Sequence, residues 1–281
     1  MAEAVPVGAA PVPRINRIEL ERPWAWLAAG WRDLMRAPAV GLTYGVVFAA
    51  AGWAITFGLW WLDMLYFVLP MVAGFLIVGP IVAVGLYEVS RRLDEGRPVA
   101  LGDALGAFRV NATQIAFMGV ALMLFFFAWM RLAVLIFMLF FGLEPPSPVD
   151  FLGRVFLSAD SVPFLAVGFA VGGVLAGLAF CLSAVSIPLL LDRPDEHVIT
   201  AIATSFKAVL DNPATMAFWA VLIVLFVGAG LLTFFVGLIV ALPLIGHASW
   251  HAYRDLVSYG EARPATTGAA AGAAGVQRPV V

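Results

Sequence analysis

The stretch "ATMAFWAVLIVLFVGAGLLTFFVGLIVALPLIG", Ala214 to Gly246, contains no charged residue. A helix rises about 1.5 Å per residue and needs roughly 20 residues to cross a hydrocarbon core of about 30 Å. The run is therefore too long for one crossing and too apolar for water. It must turn back on itself, and the sequence places that turn near Phe234 to Gly237. This reading commits the chain to a bilayer and to helices that cross it in hairpins.

The whole chain agrees. Of 281 residues 63% are hydrophobic and 12% charged, against about a quarter charged in ordinary soluble domains. A net charge of −2 gives no global basic field for nucleic acid. The single cysteine, Cys181, excludes an intrachain disulfide framework and a cysteine metal cluster. The opening "MAEAVPVGAAPVPRINRIELERP" lacks a compact apolar segment beside a small-residue cleavage site, so no cleaved signal peptide is expected. Residues 1–22 and 260–281, rich in Ala, Gly and Pro, are expected to be disordered cytoplasmic extensions of a membrane domain spanning 23–259.

Hydropathy predicts an all-α polytopic bundle of six transmembrane helices, at about 39–61, 64–88, 112–137, 163–190, 213–234 and 237–257. The run from Ala112 to Leu143 is also long for one crossing. It either tilts or continues past the membrane surface near Arg131 and packs on the following loop. Orientation follows from the basic residues. With both termini inside, the inner segments hold fourteen of the sixteen Lys and Arg residues, leaving Arg131 and Arg154 outside. The expected location is thus the inner membrane of a bacterium, with both termini cytoplasmic. Between spans 3 and 4, "FLGRVFLS" (Phe151 to Ser158) is expected to form a short helix on the outer surface.

Three segments on the inner side superimpose without gaps: "LAAGWRDLMRAPAVGLTYG", "LGDALGAFRVNATQIAFMG" and "IATSFKAVLDNPATMAFWA". Leu27, Trp31 and Leu34 match Leu101, Leu105 and Phe108, then Ile202, Phe206 and Val209. The i, i+4, i+7 spacing makes one apolar stripe on each of three amphipathic helices suited to the membrane surface. Each segment ends in a breaker, "RAPA", "VNAT" or "DNPA". Asn111 and Asn212 are placed to cap the helices that follow, and Pro38 and Pro213 to open theirs. The chain therefore reads as three repeats, about 24–93, 99–192 and 195–258, each a surface helix followed by a transmembrane hairpin. Pro80, Pro188 and Pro243 fall inside the returning spans, where each frees the carbonyl four residues earlier. Gly74, Gly79, Gly85, Gly172, Gly173 and Gly177 are expected to permit close helix approach.

The opening "GWRDLMRAPAVGLTYGVVFAAAG" and the closing "LPLIGHASWHAYRDLV" resemble a family of uncharacterised six-span integral membrane proteins of proteobacteria, sometimes labelled cytochrome c oxidase subunit I. The resemblance covers about residues 24–258 and implies an inner-membrane protein without known catalytic residues. The repeated unit is similar, more weakly, to the membrane domains of some glycerophosphodiester phosphodiesterases.

Candidate functional residues fall into two groups. His247, Trp250, His251 and Arg254 share one helix face. With Glu88, Ser183 and Ser186 the histidines define a possible intramembrane polar site. A metal or haem at His247 and His251 lacks further ligands at a recognisable spacing. The favoured reading is structural: His247 bonds a proline-freed carbonyl, Ser183 or Ser186, and Glu88 forms an interfacial ion pair. The second group, Arg32, Arg36, Arg91, Arg92, Arg109, Lys207 and Arg254, forms an inner collar able to meet anionic phospholipid headgroups. No cofactor, metal, catalytic residue or nucleic acid is expected. The leading functional expectation is a non-enzymatic accessory, scaffold or lipid-binding protein, with the bilayer and another membrane protein complex as candidate partners. The alternatives are a transporter or channel for a small or lipid-like substrate, and a redox-complex subunit using His247 and His251.

Overall fold

The computed structural model describes residues 13–142, 151–158 and 161–259. The expected disorder of residues 1–12 and 260–281, and residues 143–150 and 159–160 of the loop between spans 3 and 4, lie outside the described residues. Among those described, the chain is an all-α bundle closed by one short two-stranded ladder.

Strand β1 (Pro13–Ile15) leads into α1 (Arg22–Arg36), which a sharp turn at Ala37 separates from α2 (Pro38–Trp61). After a single-turn 3-10 segment come α3 (Val68–Val82) and α4 (Val84–Asp94), nearly continuous but broken at Ala83, three residues beyond Pro80. A short α5 (Leu101–Gly106) precedes α6 (Ala112–Phe141). Then follow α7 (Phe151–Phe156), α8 (Ser161–Ser183), α9 (Ser186–Asp192), α10 (Val198–Asp211), α11 (Pro213–Leu232), α12 (Leu238–Leu256) and β2 (Val257–Tyr259). Five segments are long and apolar enough to cross a membrane: 38–61, 65–94, 112–141, 161–192 and 213–232.

Helix α12 stands apart from those five. Its first half is apolar, but its last turns carry His247, His251, Arg254 and Asp255. It packs against α1, α2, α4, α9 and α11, so nearly every residue from Ala241 to Leu256 is buried. Protein rather than lipid surrounds it, which is what lets it carry polar side chains at depth.

The turn inside the 214–246 run occupies residues 233–237, between α11 and α12. It is tight enough to force Phe234 and Phe235 to positive φ, 52° and 68°, a region that bulky residues rarely enter. Two hydrogen bonds hold it: Trp53 Nε1 donates to the Phe234 carbonyl at 2.7 Å, and Gly237 N–H to Thr233 Oγ1 at 2.9 Å.

Helix α6 runs unbroken for 30 residues, about 45 Å at 1.5 Å per residue. It exceeds the core thickness, and its far end packs on the following hairpin, with Phe137, Phe140 and Phe141 stacked edge-on around Phe164 of α8. The expected short helix after it forms as α7, with Val155 buried.

The three surface segments share a backbone feature. Ala37, Asn111 and Asn212, the residues before α2, α6 and α11, have φ/ψ of −128°/52°, −137°/59° and −130°/51°. The expected side-chain caps do not form there. Asn212 instead accepts from the Ile18 N–H at 2.8 Å and donates to the carbonyls of Asn16 and Ala208. Asn111 donates to the carbonyls of Leu190 and Glu196. Each amide does more by stitching separate segments together than by capping its own helix. The Asn212 bonds, with Asn16 N–H on the Leu256 carbonyl at 2.9 Å, fix residues 13–21 beside the end of α12. Part of the stretch assigned by composition to a loose arm is thus paired as β1 with β2.

The helix faces also differ from a simple stripe-inward picture. Leu101, Leu105 and Phe108 are exposed, as is Trp31, while the buried register is Gly30/Asp33, Ala104/Ala107 and Ser205/Ala208. Small side chains occupy the shared buried positions, but the large apolar stripe divides: Leu27 and Leu34 of α1 are buried with Trp26, whereas Trp31, Leu101, Leu105 and Phe108 face outward. Gly30 brings the α1 backbone directly against α12. A Cβ there would lie 2.6 Å from Ala248 N and 2.8 Å from the Leu244 carbonyl. Gly30→Ala is therefore expected to push α1 off α12 and cost about 1–3 kcal/mol, read as a lower thermal midpoint in detergent. Gly102→Ala, where a Cβ meets nothing within 4 Å, serves as the control. Of the six glycines expected at contacts, Gly74, Gly85 and Gly172 receive Phe126, Tyr44 and Trp129, whereas Gly79, Gly173 and Gly177 face open space.

Candidate functional site

The last turns of α12 form a hub of polar contacts. His247, fully buried, pairs through Nδ1 with Ser90 Oγ of α4 at 2.8 Å. His251 Nε2 lies 2.7 Å from Asp33 Oδ2 of α1. Trp250 Nε1 donates to Asp94 at 2.8 Å, Tyr253 OH to Asp192 at 2.7 Å, and Trp26 Nε1 with Arg22 Nε to Asp255, each at 2.7 Å. Successive residues of one helix thereby engage α4, α1 and α9 in turn, which explains why this end of α12 tolerates so much polarity inside an apolar bundle.

Ser90 sits between the two histidine contacts, close enough to the Asp33 carboxylate for its hydroxyl to favour the charged form. A hydroxyl has one proton. If Ser90 donates it to Asp33, its oxygen accepts from His247, so the proton of His247 sits on Nδ1. The tautomer is assigned from this network. His247 Nε2 is then a bare acceptor, buried with no hydrogen-bond partner among the described residues. Asp33 is 2% exposed. Burial pushes its carboxyl upward, but the hydrogen bonds from His251 and Ser90 and the charge of His251 outweigh burial and leave its pKa lowered.

Glu88 belongs to a separate cluster. It is buried and accepts from Arg91 Nε at 2.8 Å and Nη2 at 3.0 Å, and from Arg92 Nε at 2.8 Å. Arg92 extends to Asp103 of α5 at 2.9 Å. Ser183 and Ser186 each donate to the carbonyl four residues back in their own segment, Ala179 and Leu182. The structure thus brings His247 and His251 into one network through Ser90 and Asp33, and leaves Glu88, Ser183 and Ser186 outside it. The two imidazoles are held by different helices, and among the described residues no three His, Cys, Asp or Glu side chains are grouped to hold a metal.

The collar residues also divide. Arg91 and Arg92 are committed to Glu88. Lys207 pairs with Asp211 at 3.3 Å, Arg254 with Asp192 at 3.6 Å, and Arg36 approaches Asp33 at 3.9 Å. Arg32 and Arg109 are exposed and have no ion-pair partner among the described residues.

Ser90, Asp33, Asp94, Asp192 and Asp255 are the functional partners that periodicity does not single out. Asp33 had one readable signal: in the threefold alignment it falls at the position of Ala107 and Ala208. A carboxylate among alanines on the packing side of a helix needs a buried partner.

Residues 68–192, from α3 through α9, match a family model described as "Predicted integral membrane protein (DUF2189)". No curated protein and no solved structure matches the chain. The chain is a polytopic integral membrane protein. Nothing in the comparisons ties it to cytochrome c oxidase subunit I or to phosphodiesterase membrane domains. The matched region contains Glu88, Ser90 and both arginines, but neither Asp33 nor the histidines.

Proposed function

We propose that the protein is a non-enzymatic, lipid-binding scaffold of the bacterial inner membrane, recruiting anionic phospholipid at its cytoplasmic rim. The observation that carries this reading is the pair Arg32 and Arg109. Both are exposed and unpaired among the described residues, on helices that also expose Trp24, Trp31 and Phe108. Amphipathic surface helices with interfacial aromatics and free guanidiniums are suited to anionic headgroups. Lipid is the partner available at that depth, and a second membrane protein complex would dock on the same rim.

The reading takes α12 as a sixth span and both termini as cytoplasmic. The pairing of β1 with β2, which brings residues 13–15 and 257–259 together, supports termini on one side. The matching torsions at Ala37, Asn111 and Asn212, and the shared buried register of the three surface helices, support a threefold repeat of surface helix plus hairpin.

Native mass spectrometry of the purified chain tests the lipid assignment. Anionic phospholipid is expected to be retained over zwitterionic. Arg32→Gln with Arg109→Gln should cut that retention about thirtyfold, since each basic residue contributes about 1 kcal/mol near an anionic surface. Equal retention of both lipid classes would remove the proposal.

A second reading, proton-linked transport of a small or lipid-like substrate, draws on the buried Nε2 of His247 and its Ser90–Asp33 connection. In a reconstituted flux assay, unchanged transport by His247→Ala would count against it.

A further inference from the structure

Helices α2 and α3 form a hairpin whose arms diverge, because α2 packs on α12 while α3 packs on α6. Between them lies a cleft of about 290 Å3, lined by Phe48, Gly52, Ile55, Met71 and Phe75 and walled at its outer end by Phe235. Its size approaches the lower end of the range for small-molecule sites, about 300–1,000 Å3. Thr56 is the one residue with a polar side chain along it. Phe235 is the strained turn residue, held against Gly52, where a Cβ would lie 2.6 Å from its ring.

Phe75 also lines a second, smaller chamber of about 90 Å3 between α3, α4, α8, α11 and α12. Its lining is apolar except for Tyr87, Ser183 and Ser249, and no charged side chain reaches it. The protons there are already spent. Ser183 donates to the Ala179 carbonyl at 2.7 Å and Ser249 to Ile245 at 2.8 Å. The Tyr87 phenol lines the same space as Ser249, whose proton is engaged and whose oxygen is left to accept the phenol proton. Pro80 has no N–H to offer the Leu76 carbonyl, which belongs to a lining residue. What remains is a set of acceptors without a donor. A group completing this chamber must be uncharged and bring an O–H or N–H.

We propose that cleft and chamber together bind one neutral, single-chain lipid with a hydroxyl head, of the monoacylglycerol type. Its head sits on the oxygens of Ser183, Ser249 and Tyr87, and its chain passes Phe75 into the cleft toward the bilayer. The polarity gradient fixes that direction, since the cleft is apolar apart from Thr56 while the hydroxyls line the chamber. This site does not depend on the anionic rim, which is charged and lies on surface helices.

The test uses the full chain in phosphatidylcholine nanodiscs with a diazirine-bearing monoacylglycerol. Photolabel is expected on peptides containing Phe75, Val227 or Ile245. Excess monooleoylglycerol should displace it, whereas methyl oleate, which has the same chain and no donor, should not. Ala176→Trp fills the chamber and is expected to lower labelling at least about fivefold. Ser183→Ala with Ser249→Ala, a gentler change, should lower it about fivefold through lost acceptors. Labelling unchanged in the serine variant, or equal displacement by methyl oleate, overturns the proposal. Anionic-lipid retention in these variants should equal that of the parent chain, so failure here is separable from failure at the rim.

Discussion

Replacing Arg91 and Arg92 together by methionine is expected to destabilise the protein by about 3 kcal/mol or more, the scale of stranding a buried carboxylate. Glu88 is 2% exposed and receives three guanidinium hydrogen bonds from these two side chains. The arginine stems are themselves mostly buried, at 19% and 20% exposure, so the pairs are poorly screened by water. Removing both cations leaves the carboxylate in an apolar bundle with no counter-charge. The loss should therefore reverse when the charge itself is removed: adding Glu88→Leu to the double variant is expected to restore most of the stability. Lys207→Met offers the contrast, since its partner Asp211 and Lys207 itself are solvent-facing and exposed pairs contribute about 0.2–1 kcal/mol. Thermal midpoints in detergent, monitored by the monodisperse fraction, would decide the matter. A double variant no weaker than Lys207→Met would show that Glu88 is not dependent on its arginines.

That cluster marks the boundary of what the sequence discloses. The hairpin turn in the 214–246 run is legible because hydrocarbon thickness is a hard length, and no single helix of that run fits it. The equivalence of Ala37, Asn111 and Asn212 is legible because the breakers recur at fixed offsets from an apolar stripe. The direction each helix faces is not. The stripe alone carries no sign: Leu27 and Leu34 turn inward on α1, whereas Leu101, Leu105 and Phe108 at the matching positions face outward. Histidine partners were illegible for a related reason. His247 has Ser90 and not Ser183 or Ser186 beside it, because α4 packs directly on α12 while Ser183 and Ser186 turn their hydroxyls to their own backbone carbonyls. Hydropathy orders residues by depth, and several hydroxyls share one depth; only helix adjacency chooses among them. Asn16 and Asn212 show the same limit, since their bonds join segments almost two hundred residues apart.

Ser90→Ala is expected to cost about 1–3 kcal/mol, because it strips His247 Nδ1 of its partner in the core and removes a hydroxyl that supports the buried Asp33 carboxylate. Its partner change, His247→Leu, removes one end of the same network. If Ser90 links the two, the double variant should lose less than the sum of the single losses, with a coupling of about 0.5–3 kcal/mol. Additive losses would mean that serine and histidine act separately. Acid titration gives an independent reading. The Asp33 carboxyl is held below its ordinary 3.8, so its stabilisation is complete above that value and is lost as pH falls through the lower folded value. The largest opposition to the burial of that carboxylate comes from the His251 imidazole at 2.7 Å and then the Ser90 hydroxyl, with His247 adding to it. Deleting the hydroxyl weakens the opposition while burial stays, which raises the folded pKa. The acid transition of Ser90→Ala, followed by the fluorescence of the buried Trp26 and Trp250, is therefore expected to begin at higher pH than in the parent chain. The Asp33→Asn variant, having no carboxylate to protonate, should lose this component of the transition. A parent-like acid midpoint in Ser90→Ala would break the link between serine and carboxylate, and with it the assignment of the His247 proton to Nδ1.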